Sequence, residues 1–394
     1  MPTGSYLPNT SKLLTVTVMA ISPDPSSGWP DTRVSRLLAL DRPVVQGPFG
    51  GGLSSAALTA AVADAGGLGS FGVHHLDPAE IRDIGHQLHA ATRRPFALNL
   101  WVSNHDLPEC EMTRERFDAA VRRLRPLYEE VGVAAPAYPE RFSARFEDQA
   151  EAVLEARPAA FSFVFGVPDE RVLAAFRDAG VVTLGTATTP DEAVALDEAG
   201  IDIVVASGAE AGGHRGAFLA QAEDSLVGTL PLVRIAVGEV QAPVIAAGGI
   251  AEARGIVAAL ALGAQGVQIG TAFLATDESA ATAEHKAELL GRGARHTTLT
   301  RAFSGRLARG ITNPLVGRLT ATGAIEPYPY QSYLLGPVVK AARAQGRTDV
   351  VATWCGQAAP LLEHRSAAAL YAALTDGTDH LLTDNPTSNE GASR

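Results

Sequence analysis

Cysteine is nearly absent: Cys110 and Cys355 are the 2 thiols in 394 residues. Two thiols cannot staple a chain of this length, so a disulfide-framed secreted scaffold is excluded and a reducing cytoplasm is the expected setting. No CxxC pair or Cys/His cluster occurs, so no zinc or other metal site is expected. Charge is also sparse, at 19% of residues, with 32 basic residues against 43 acidic ones and a net charge of −11. That balance argues against nucleic-acid or anionic-membrane partners held by general electrostatics. The longest uncharged run, Gly255 to Thr276, has the length of a membrane span. Its glycines at 263, 266 and 270 and glutamines at 265 and 268 divide it instead into a helix and a buried strand. No early GxGxxG follows the first candidate strand, as a doubly wound dinucleotide fold would require; Gly47-Pro-Phe-Gly-Gly-Gly52 stands there.

What the chain does have is apolar bulk, 46% of residues, and 39 glycines, about a tenth against a usual share of roughly 7%. Such a chain can bury a large core and still bring backbone close to a ligand in many tight turns. From Pro43 onward, short β-branched runs alternate with Ala-rich helical stretches, the mark of consecutive βα units. Strands are expected at 43–46, 68–71, 96–101, 160–164, 181–184, 203–206, 244–247 and 267–269. Helices are expected at 55–65, 79–91, 168–179, 190–199, 230–240 and 253–262, with Gly180, Gly200 and Gly263 at their ends. The strand count and the span from Pro43 to Thr276 fit a (β/α)₈ TIM barrel, which takes about 250 residues. The stretch from Asn104 to Pro158 is too long for one βα connection, and it holds a charged helix at 114–131. An insertion after strand 3 is therefore expected there. The expected organisation is a flexible arm at 1–36, a barrel core at 37–276, a last barrel helix with a C-terminal helical cap at 277–383, and a disordered tail at 384–394. The apolar run at 13–21 lacks a cleavage site, so export is not expected, and Met19 leaves open whether residues 1–18 are translated.

In barrels, chemistry sits in the loops at the carboxyl ends of the strands. After strand seven comes Ala247-Gly248-Gly249-Ile250 and after strand eight Gly270-Thr271. Paired glycines ahead of a helix offer free backbone N–H groups to an anion, and barrels often bind phosphate at these two loops. After strand six, His214 lies in Glu210-Ala-Gly-Gly-His-Arg-Gly216, flanked by glycines and close to neutral in its proton equilibrium. It is the candidate catalytic residue, with Glu210 a weaker one. After strand one, backbone near Phe49 could line a flat ring, and after strand three the Asn99 carboxamide offers a donor and an acceptor to a heterocycle.

These pieces, in this order, resemble the flavin-dependent nitronate monooxygenases. The resemblance rests on Gln46-Gly-Pro, Ala65-Gly-Gly-Leu-Gly69, Asn99, the segment Glu210 to Gly216, Ala246-Ala-Gly-Gly-Ile250 and the segment Leu262 to Phe273. It continues through Arg301 to Gly310 and Trp354-Cys-Gly-Gln357. It implies a barrel holding non-covalent FMN, with phosphate at Gly248, Gly249, Gly270 and Thr271. The ring is then expected near Gly47, Pro48, Phe49 and Asn99, with Thr186 and Ala211 completing the contacts. It also implies that His214 faces the substrate, removing a carbon-bound proton from a neutral nitroalkane or positioning a preformed nitronate. The implied reaction joins the nitronate with O2 to give a carbonyl compound and nitrite, without NAD(P)H. A small-molecule nitronate or nitroalkane and O2 are thus the expected partners, with a homodimer left open.

Departures bear on the site. Thr186 stands where some members carry a lysine, Phe49 where methionine is usual, and His74-His75 where small or aromatic residues are often found. An FMN-dependent NAD(P)H enoyl reductase and a secondary-metabolism flavin oxidase are the alternatives on the same fold. His86 and His89 with Asp83 have formal metal spacing, which a polar helix face explains more simply. Arg301, Arg306 and Arg309 are candidates for phosphate or acidic-substrate contact. Tyr328, Tyr330 and Tyr333 form either a lid or cap packing.

Overall fold

The computed structural model describes residues 28–102, 111–323 and 325–383. The expectations for residues 1–27 and 384–394, and Cys110, lie outside the described residues. Eleven strands are numbered in chain order: β1 Val44–Gln46, β2 Gly69–Gly72, β3 Phe96–Trp101, β4 Ala160–Val164, β5 Val182–Ala187, β6 Ile203–Ser207, β7 Gly213–His214, β8 Val244–Ala247, β9 Gly266–Ile269, β10 Thr297–Thr300 and β11 Ala308–Ile311. Eight of them form one parallel sheet in the order β1-β9-β8-β6-β5-β4-β3-β2. A parallel bridge between Val45 and Leu68 joins its two ends, so the sheet closes into the expected (β/α)₈ barrel.

The strands take this form because both their faces are covered, which makes nearly every strand residue apolar. Alternation still sorts the faces. On β6, Ile203 and Val205 enter the interior cluster while Val204 and Ala206 pack against the helices outside. On β8, Ile245 and Ala247 point in and Val244 and Ala246 out. Helices start at side-chain caps: Asp77 and Glu80 form a capping box for Pro78–Ala91, and Thr189 caps Pro190–Glu198.

The amino-terminal mouth of the barrel is plugged by the helix Arg33–Leu38, whose Val34 and Leu38 join Leu40 and the interior strand residues. Burying each of those two side chains stabilises by roughly 1.5–3 kcal/mol. The expected flexible arm through residue 36 is therefore corrected from Thr32 on: Thr32 Oγ1 donates to the Gln265 carbonyl at 2.7 Å and Val34 is buried.

The connection after β3 holds the expected helix Arg114–Val131, and also Phe146–Glu155, which packs on Pro78–Ala91 as the third barrel helix. Arg114–Val131 instead packs on the cap helix Tyr330–Ala344, sharing a core of Phe117, Leu124, Leu127, Leu334, Leu335 and Val338. Glu326 ties the two together through Arg116, at 2.8 Å, and Arg123. The cap is not purely helical: β10, β11 and β7 make a three-stranded antiparallel sheet. The last barrel helix also comes later than expected. Ala367–Thr383, at the end of the described chain, packs on Ala253–Ala261 and Ala56–Asp64, so the cap interrupts the eighth βα unit instead of following it.

Candidate active site

On several strands the inward row changes from aliphatic to polar, small or aromatic near the carboxyl end. On β3 the row runs Ala97, Asn99, Trp101; on β5 Leu184, Thr186; on β6 Val205, Ser207; on β8 Ile245, Ala247. The lower members are packed among apolar neighbours and the upper ones line a cavity of about 1200 Å³ at the carboxyl mouth, closed over by the cap. His214 and all the residues expected at the FMN, Gly47, Pro48, Phe49, Asn99, Thr186, Ala211, Gly248, Gly249, Gly270 and Thr271, line that cavity.

Gly248 and Gly249 turn the chain with φ of 98° and 73°, in the left-handed half of the map that a side chain resists. A Cβ on Gly248 would also lie 3.0 Å from the Ala211 nitrogen and 3.1 Å from Thr229 Oγ1. Glu210 shapes this turn from below. Its carboxylate accepts from the Thr229 nitrogen and hydroxyl, both at 2.9 Å, so its role is to hold the loop and not to pair with Arg215. Arg215 is buried and donates to the carbonyls of Ser207, Gly208 and Ser225, clamping the base of the same loop. Beside it, a Cβ on Gly47 would sit 3.1 Å from Gly270 Cα, so the β1 and β9 loops meet backbone to backbone. Thr271 Oγ1 accepts from the Gly356 nitrogen at 2.9 Å. Asn99 Nδ2 donates to Ser162 Oγ at 2.9 Å across β3 and β4, which fixes its carboxamide.

His214 is positioned by the cap as much as by the barrel. It pairs with Ala308 and Gly213 with Arg309, so the loop after β6 is sewn to β11. Its Nε2 lies 2.8 Å from Ser304 Oγ, and Ser304 is held by the Arg306 backbone N–H at 3.2 Å. The ring stands edge-on to Trp101, with centroids 4.7 Å apart, and 5.0 Å from Trp354. Burial first, and the Arg306 charge second, push its imidazole down to about 3, so it is uncharged at neutral pH.

The other sequence candidates separate clearly. His74 and His75 line the cavity; His74 stacks on Trp101 at 3.7 Å and 7°, and burial pushes it well below its ordinary value. His75 Nδ1 accepts from the Gly51 nitrogen at 3.3 Å. His89 donates to the Ala156 carbonyl at 2.9 Å, and no group of metal-ligating side chains gathers there or elsewhere among the described residues. Arg301 pairs with Glu223 at 2.8 Å, and Arg309 donates to the Ala209 carbonyl and to Thr297, so these two serve structure. Tyr328 and Tyr333 line the cavity, whereas Tyr330 is buried in the cap, where its hydroxyl accepts from the Met112 nitrogen at 3.3 Å.

Reading the sequence gave no role to most of the wall around His214, namely Trp101, Phe165, Ser304 and Trp354, and named Arg306 only as a candidate for phosphate or acidic-substrate contact. Trp101 was detectable two residues beyond Asn99 on the same face of β3. Ser304 and Arg306 sit inside the Arg301 to Gly310 motif, but nothing local says that this segment folds back onto β6.

A family model described as nitronate monooxygenase matches residues 31–377. The nitronate monooxygenase of Pseudomonas aeruginosa is 40% identical over 87% of this chain and 98% of its own length. That of Paraburkholderia phytofirmans is also 40% identical, over 86% of this chain and 92% of its own. The structure of a nitroalkane oxidase from Streptomyces ansochromogenes superposes with a TM-score of 0.80 at 35% identity, covering 89% of this chain and 99% of that one. With its barrel, its glycine loops and its cap-held histidine all inside the matched region, the chain belongs to the nitronate monooxygenase family and is an oxidoreductase of that family.

Proposed function

We propose that this chain is an FMN-dependent monooxygenase that converts alkyl nitronates, and nitroalkanes through His214, with O2 to carbonyl compounds and nitrite. The observation that supports this reading most is one cavity holding both an uncharged, cap-positioned imidazole and a glycine cradle for an anion. The cradle fits a phosphate: the Gly248–Gly249 turn and Gly270–Thr271 end adjacent strands, and at Gly249 and Gly270 no neighbour lies closer than 3.4 Å to the space a Cβ would take. Gly248, Gly249, Gly270 and Thr271 would hold the phosphate, and Gly47, Pro48, Phe49, Asn99, Thr186 and Ala211 the ring system. Bound FMN supplies the redox chemistry that no side chain of this site can.

The chain's own residues supply the rest. With Nε2 engaged by Ser304, Nδ1 of His214 is the nitrogen left to accept a proton from a nitroalkane carbon. The anion formed beside it offsets the charge the ring then takes on. For a preformed nitronate that proton transfer is not needed. Trp101, Phe165 and Trp354 keep water from that exchange. No helix among the described residues is long and apolar enough to cross a membrane. A cytoplasmic setting is part of the proposal.

The test compares His214→Ala with the parent on a neutral nitroalkane and on its preformed nitronate, with flavin content measured first. Loss on the neutral substrate should exceed loss on the nitronate by about 10²-fold or more, the usual worth of a positioned base. Equal losses remove the base assignment, and fast reduction of the protein by NADH with no nitronate turnover moves the reading to the reductase.

A further inference from the structure

The cavity extends past the residues expected to hold flavin and base. At about 1200 Å³ it exceeds the roughly 300–1,000 Å³ of pockets that take one drug-sized ligand. The cap helix Tyr330–Ala344, from which no residue is expected at the FMN, forms one of its walls. Near the start of that helix Ser332 Oγ lies 3.5 Å from the carbonyl oxygen of Ser304, the residue whose hydroxyl meets His214. Near its end Arg343 Nη1 donates to the Gly51 carbonyl at 2.8 Å. Both residues line the cavity, so at 1.5 Å of rise per residue it follows the helix for about 16 Å.

Between those ends the helix carries Gly336 and Pro337, the two weakest helix formers, in its interior. Leu334, Val338 and Ala342 pack into the cap core and hold the helix in place around them. Gly336 faces the cavity, and no atom lies within 4 Å of the place its Cβ would take. Open space therefore lies against the helix where any other residue would set a side chain. Leu335, Pro337 and Val339 of the same helix and Phe142 of the insertion give this stretch apolar walls. Phe142 is fixed by Tyr330 and Tyr333, with ring centres 4.8 Å and 5.3 Å away, and the Tyr333 hydroxyl donates to the Ala137 carbonyl at 2.8 Å.

We propose that this trough is a subsite for the substituent of the substrate: it takes an unbranched apolar chain that runs from the nitronate carbon at His214 along the cap helix and past Gly336. This deepens the function proposed above and rests on it. Charged groups also line the cavity, Lys340 and Arg343 from the cap helix and Asp77 and Glu80 from the start of Pro78–Ala91. They meet at the outer end, where His75 bonds Gly51 and feels both Glu80 and Arg343. Two cations against two carboxylates leave little net field to select a charged chain, and Arg343 is already engaged by Gly51. An apolar chain gains by leaving water: each methylene is worth about fourfold in affinity when fully buried, and about twofold where one side stays open.

The experiment compares the intact parent with Gly336→Leu on ethyl, butyl, hexyl and octyl nitronates, reading kcat/KM. Butanoate and octanoate, whose carboxylate copies the planar nitronate head, serve as unreactive probes, with binding read from the fluorescence of Trp101 and Trp354 in the cavity wall. In the parent, kcat/KM should rise about twofold or more per added methylene, and octanoate should bind about tenfold or more tighter than butanoate. Gly336→Leu strengthens the helix and fills the trough. It should lower kcat/KM for octyl nitronate about tenfold or more and leave ethyl nitronate within about twofold. A flat series in the parent, or equal losses on ethyl and octyl nitronates in the variant, overturns the proposal. If Gly336→Leu does not fold, Gly336→Ala replaces it: a loss of about threefold or more confined to the octyl substrate supports the subsite, and a loss no larger than on ethyl nitronate overturns it. No turnover of ethyl nitronate by the parent would refute the proposed function. The alkanoates would then decide the trough by themselves, tighter octanoate supporting it and equal affinities overturning it.

Discussion

Lowering the pH from 7 to 5 should cost this protein about 4 kcal/mol of unfolding free energy through two histidines alone. In the folded chain burial holds His214 down at about 3 and His285 at about 4, so both stay uncharged at pH 5. Once unfolded, each titrates near 6.5 and is almost fully protonated at that pH. The unfolded state then binds about two more protons than the folded one, so stability falls as the pH falls below 6.5. Each unmatched proton is worth about 1.4 kcal/mol per pH unit, which integrates to about 1.9 kcal/mol per histidine between pH 7 and 5. His74, displaced in the same direction by burial and then by His75, adds to the loss. Urea unfolding at pH 7, 6 and 5, followed by tryptophan fluorescence, measures the change directly. His285 Nε2 lies 3.3 Å from the Trp354 carbonyl, outside the candidate active site, which makes His285→Gln a suitable control. That variant should flatten the slope between pH 6 and 5 by about 1.2 kcal/mol per unit. A total loss below about 1 kcal/mol, or a slope unchanged in the variant, would refute the reasoning.

Gly249→Val should fold but emerge without flavin. Its backbone φ of 73° costs a branched side chain roughly 1–2 kcal/mol, and the new atoms point at space the phosphate would need. Protein purified yellow at full occupancy would remove the phosphate from that turn. Ser304→Ala frees the His214 ring while leaving the β7–β11 pairing intact. It should lower kcat on neutral nitroalkane by about tenfold or more with a much smaller change on preformed nitronate, read by steady-state kinetics. Equal kcat in parent and variant would show that the hydroxyl does not orient the base.

How much of this was legible in advance follows from the range of each interaction. The barrel strands announce themselves because each is a short β-branched run between turn residues, and Gly248-Gly249 and Gly270-Thr271 announce a cradle because they fall at strand ends. His214 stood out through its flanking glycines and Asn99 through its carboxamide after the third strand, while Thr186 came only with the family resemblance. All of these depend on neighbours within a few residues. The cap sheet did not announce itself: β7 is two residues long and exists only because β11 pairs with it. Nor could the place of Ala367–Thr383 be read, since its apolar face matches any gap between barrel helices, and only closure of the barrel shows which gap stood open. The charge at Arg306 was visible as a letter in a basic segment, yet its setting among Phe165, Tyr328 and Trp101 joins the β4 end, the cap and β3. The sequence by itself therefore determined the barrel, its glycine loops and the histidine, through local period and turn chemistry. Only the tertiary structure decided what surrounds that histidine, because packing between distant segments sets its burial, its hydroxyl partner and its field.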